Sequence, residues 1–85
     1  MITPEQACEI IMHKFPNRTV DEFTETPEYY LYSPESGMHD DRWRIDKKSG
    51  MMDEFDLVEL LEYLRRYPDD MEFKEHKISD LLKAR

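Results

Sequence analysis

The sequence predicts an α+β fold, a two-layer sandwich whose antiparallel sheet is a meander of three to four strands with helices packed on one face. The expected order is α-β-β-β-β-α-α. Three observations carry this expectation. Arg42–Tyr67 reads as strand, tight turn, strand and capped amphipathic helix. Residues 3–16 signal both the start and the stop of a helix. Tyr29-Tyr30-Leu31-Tyr32 is the richest β-forming run in the chain.

Thr3-Pro4-Glu5-Gln6 opens the first helix, with Thr3 as N-cap, Pro4 at the first helical position and Gln6 as the returning half of a capping box. Ala7, Cys8, Ile11 and Phe15 share one face, and Pro16-Asn17 ends the helix near Phe15. Thr19–Thr24 follows as a short, polar strand suited to a sheet edge. Pro27-Glu28 turns the chain into the Tyr29–Tyr32 strand. Its pleat sends Tyr30 and Tyr32 to one face and Tyr29 to the other. Ser33–Asp41 is a turn-rich loop.

Trp43 and Ile45 alternate with Arg42, Arg44 and Asp46, giving a strand with one dry and one wet face. Asp46-Lys47-Lys48-Ser49-Gly50 is good turn chemistry, because Asp bonds backbone two residues on and Gly takes the left-handed conformation. A further strand begins at Met51. Asp56 is then an N-cap, with Glu59 as its reciprocal partner. Leu57, Leu60, Leu61, Leu64 and Tyr67 fall on one side of a helix that Pro68 stops. That stripe is expected to lie on the sheet. After Pro68-Asp69-Asp70, Met71 and Phe73 are expected to cover one end of the core, and Ile78, Leu81 and Leu82 mark a last helix capped by Ser79 or Asp70.

The 85 residues make a single domain, 1–85, in which 70–85 is either a peripheral C-terminal helix or an oligomerisation tail. A chain of this size buries roughly 60–65% of its unfolded surface, enough for one thin core. Cys8 is the sole cysteine, which excludes an internal disulfide and suits a reducing compartment. No signal segment or bilayer-spanning apolar run is present, so the expected location is cytoplasmic. Twelve basic residues against twenty acidic ones leave a net charge of −8, which argues against direct contact with nucleic acid or anionic membrane and permits a basic protein partner.

The helix start Thr3-Pro4-Glu5-Gln6-Ala7, the strand Tyr29–Ser33 and the hairpin Trp43–Gly50 together resemble the helix-plus-hairpin layout of PepSY-like domains. Lys14-Phe15-Pro16-Asn17-Arg18 ahead of the strands is similar to a group of small proteins of Gram-positive bacteria and their phages, and small immunity proteins share the outline. The resemblance implies a binding or inhibitory module from a mobile-element context.

Nothing in the pattern of reactive residues requires catalysis. His13, His39 and His76 are far apart, and His39-Asp40-Asp41 is the only local cluster with ligand chemistry. The carboxylate pairs Asp40-Asp41, Asp53-Glu54 and Asp69-Asp70 fall in loops or on wet faces, where solvent keeps them ionised. Two glycines are too few for a phosphate cradle. The expected protein is therefore not an enzyme and takes no cofactor or metal. It is a protein-binding module, of inhibitory or immunity type, using an aromatic sheet face with an acidic rim: Tyr30, Tyr32, Arg42, Arg44, Asp53 and Glu54. The alternatives are an acidic nucleic-acid mimic and a phage assembly component, and the chain is expected as a monomer or homodimer.

Overall fold

The computed structural model describes residues 1–34, 42–54, 56–66 and 73–83, apart from the side chain of Leu57. Helix α1 (Pro4–Lys14) is followed by strands β1 (Glu22–Glu25), β2 (Tyr29–Tyr32), β3 (Trp43–Asp46) and β4 (Met52–Glu54). Helix α2 (Leu57–Arg65), strand β5 (Lys74–Lys77) and helix α3 (Ile78–Lys83) complete the order. The α+β class stands, with five antiparallel strands in the order β4-β3-β2-β1-β5.

The fifth strand changes the expected meander. Lys74-Glu75-His76-Lys77 has no apolar alternation, so nothing in it reads as a strand, yet all four residues pair with β1. A polar strand is suited to a sheet edge, where charge discourages further pairing. Its inward residue is His76, whose ring stacks on Phe23 at 5.2 Å. Strand β1, expected at an edge, is therefore interior.

The turn forms as the sequence expects. Asp46 Oδ1 accepts the Lys48 and Ser49 amides at 2.7 and 3.1 Å, and Gly50 closes the turn at φ +74°. Helix α1 has the full capping box, with the Thr3 amide donating to Gln6 Oε1 and the Gln6 amide to Thr3 Oγ1. Asp56 caps α2 by accepting the Glu59 amide at 2.8 Å. Of the expected caps of α3, Ser79 lies inside the helix and Asp70 lies outside the described residues. Asp21, ahead of β1, accepts the Ser79 hydroxyl at 2.7 Å, and its carbonyl accepts the Ile78 amide at 2.8 Å.

One face of the sheet carries the core. Phe23, Tyr30, Tyr32 and Ile45 pack against Ala7, Cys8 and Ile11 of α1 and Ile78 of α3. Phe15 fits its ring edge-on to Trp43 at 5.4 Å and tilted on Tyr32 at 5.7 Å. The other face is not free. Tyr29 alternates with Tyr30, and the Tyr63 ring of α2 meets Tyr29 edge-on at 5.1 Å. The Tyr63 hydroxyl shares a 2.9 Å hydrogen bond with Thr26. The sheet thus lies between α1 with α3 and α2, rather than under helices gathered on one side. The C-terminal segment is part of the body: Ile78 is completely buried and β5 is a full member of the sheet.

Candidate interaction surfaces

The six expected partner-binding residues do not converge. Tyr30 and Tyr32 are 1% and 3% exposed, so neither ring can touch a partner. Their hydroxyls donate inward, to the carbonyls of Ile2 at 3.2 Å and Val20 at 2.7 Å. The pleat separates Tyr29 from them as expected, but the inner face is the one with two tyrosines. Cross-strand pairing explains the choice, because Tyr30 and Tyr32 stand opposite Ile45 and Trp43, the dry residues of β3.

Arg44 and Asp53 do meet, on the α2 side of the sheet. Arg44 Nε and Nη2 each donate to Asp53 at 3.0 Å, and Nη1 lies 3.9 Å from Glu59 of α2. The guanidinium also covers the Tyr29 ring at 5.3 Å. The Asp53 bond holds its pKa above the usual arginine value. Glu54, one residue on, falls on the opposite face by the pleat, and Arg42 stands half-buried just before β3.

A polar centre that the sequence did not single out lies at the α1 end of the inner face. Glu25 Oε2 accepts Lys47 Nζ at 2.7 Å, and Glu25 Oε1 lies 2.8 Å from His76 Nε2. Burial pushes the Glu25 carboxyl up, but the hydrogen bonds and positive charges of Lys47 and His76 outweigh it and hold the group below its usual value. The Lys47 ammonium sits 5.1 Å from the centre of the Tyr30 ring. Burial, together with the negative charges of Glu25 and Glu5, pushes the Tyr30 phenol up to about 12. These three residues come from β1, a turn and β5, so no local motif announces them.

Helix α2 meets the sheet in an unexpected orientation. Tyr63 and Glu59 face inward, and the contact runs through long side chains. At 3.6 residues per turn, Leu61 lies roughly 160° and Val58 roughly 140° around the helix from Tyr63. Both point away, and they are 49% and 63% exposed, while Leu60 and Leu64 are half-buried. Of the stripe expected on the sheet, Leu61 thus belongs with Val58 to an outer flank, and the Leu57 side chain and Tyr67 lie outside the described residues. Exposed Glu62 and Arg65 lie beside that flank.

A second apolar feature lies across the molecule. An open groove of about 530 Å³ runs between α1 and β4, lined by Ile2, Ile10 and Met52 together with polar residues that include Glu9, His13 and Lys14.

No known family, curated protein or solved structure matches this chain.

Among the described residues, no three His, Cys, Asp or Glu side chains are grouped to hold a metal ion, and Cys8 is buried. The His39-Asp40-Asp41 cluster lies outside the described residues. Among the described residues, every buried side-chain polar atom has a hydrogen-bond partner. None of their helices is long and apolar enough to cross a membrane.

Proposed function

We propose that this chain is a non-enzymatic protein-binding module whose contact surface is the outer flank of α2. The supporting observation is the exposure of Val58 and Leu61 on a capped amphipathic helix whose sheet contacts use other residues. Apolar residues scattered singly on a surface are ordinary, but a row at helical spacing is the form used for helix-mediated recognition. The occupant is a protein with a basic, partly apolar surface. The chain carries a net charge of −8, so complementary charge would speed encounter while the apolar contact holds it. Binding of this kind suits an inhibitory or immunity-type role.

The nucleic-acid-mimic reading draws less support. A mimic needs free carboxylates in a row, and Asp21, Glu25, Asp46 and Asp53 are committed to bonds within the fold.

A photo-crosslinking side chain at position 61, expressed in the source cells, tests the proposal. One discrete adduct is expected, absent when the crosslinker sits at the exposed turn residue Lys48 and lost on Val58→Asp. Identical adducts from positions 48 and 61 would refute the reading.

A further inference from the structure

The sheet ends at β4, and nothing among the described residues pairs with its outer edge. The ladder shows which backbone groups face that edge. The Asp46 amide donates to the Met51 carbonyl at 2.9 Å, so in the antiparallel alternation the Arg44–Asp53 pair is also a bonded one. The Ile45–Met52 and Trp43–Glu54 pairs are then the non-bonded ones. Met52 and Glu54 turn their backbone N–H and C=O groups outward.

Beside this edge lies the groove between α1 and β4. Its walls are Ile2 and Ile10 of the α1 segment, and its floor is the half-buried Met52. It exists because the helical cover on the inner face stops short of the last strand. A chain laid along β4 would continue the sheet and at the same time place alternate side chains into this space.

We propose that the β4 edge and the α1–β4 groove form a binding site for an extended peptide segment, which adds to the sheet as a sixth strand. Side chains of the added strand opposite Met52 and Glu54 enter the groove and are small and apolar. The intervening side chains fall on the other face, directly across from the exposed carboxylate of Asp53, and opposite charges across a strand pair attract. Those positions favour lysine or arginine. The occupant is thus an extended segment alternating basic and β-branched residues, a mode in which backbone bonds supply affinity and alternate pockets supply selectivity. The site is separate from the α2 flank and stands on different observations.

The test uses the full chain and an acetylated, amidated hexapeptide alternating lysine and valine, followed by calorimetry and by backbone amide shifts. Binding is expected to move the amides of Met52 and Glu54. N-methylation of the valines, whose N–H groups face β4, is expected to weaken it about tenfold or more, and N-methylation of the lysines is not. On the protein, Glu54→Pro removes one outward donor while leaving the bonded Arg44–Asp53 pair intact, and Ile10→Glu charges the groove wall. Each should weaken binding by a similar factor, whereas Leu61→Asp should leave it unchanged. Equal binding of both methylated series would overturn the proposal. So would affinity that survives Ile10→Glu and vanishes at high salt, the mark of charge attraction alone. The methylated peptides keep the test decisive even if a variant fails to fold, and loss through Leu61→Asp would move the site to α2.

Discussion

Glu25 is the residue on which three elements depend, because its carboxylate holds a turn lysine and an edge-strand histidine at once. Replacing it with Gln leaves Lys47, which is largely buried, without its counter-charge, and should cost about 1–3 kcal/mol in urea unfolding at neutral pH. The sign of its pH dependence follows from its lowered pKa. The contribution is fully present above the ordinary value of 4.5 and is lost as pH falls through the lower folded value, so Glu25→Gln should flatten the acid limb of the stability curve. Tyr30 behaves in the opposite sense. Its pKa rises from 10.0 to about 12, so the stability it confers is present below 10 and disappears as pH climbs toward 12. Burial raises the Tyr32 phenol as well, so an ultraviolet phenolate titration should show late-ionising tyrosines, and Tyr30→Phe should remove the component near 12. At this scale the sequence was legible where a signal was local. The caps at Thr3 and Asp56 and the Asp46–Gly50 turn lie within a few residues of their partners. Glu25, Lys47 and His76 were opaque because each is an ordinary surface residue until the fold assembles them.

The two long helices show how an apolar stripe can mean different things. In α1 the stripe of Ala7, Cys8 and Ile11 is fully inside, and Ile11→Ala should cost about 2–5 kcal/mol through the cavity it leaves. In α2 Leu61 is turned outward, so Leu61→Ser should alter stability by no more than about 0.5 kcal/mol. Paired urea denaturations would check the contrast. Periodicity foretold both helices equally well; it cannot say which side of an amphipathic helix meets the sheet when one aromatic, Tyr63, supplies the anchor through Tyr29 and Thr26. Gly50 belongs to this scale too. An added Cβ would touch only Ile2 at 3.4 Å, an ordinary contact, so the cost of Gly50→Ala, about 1–2 kcal/mol by the same measurement, comes from its left-handed backbone. Strand β5 escaped notice because its four residues are polar, and its place in the sheet rests on pairing with β1 and on the cap that Asp21 gives to α3.

At the scale of the molecule, the class and most of the order were readable, while the strand count and the occupancy of the second face were not. Both depend on contacts between segments far apart in sequence, for which no short pattern exists. The C-terminal segment is the clearest case. Deleting residues 73–83 removes a strand, the buried Ile78 and the partner of Glu25. Cooperative thermal unfolding, followed by circular dichroism, should be lost in the shortened chain. The pairing of Glu25 with His76 spans 51 positions and has a consequence during translation. At ordinary synthesis rates the ribosome needs about 3–10 s to add that many residues. Through this interval β1 has no neighbour on one side, and the emerging chain exposes a strand that the finished protein keeps covered.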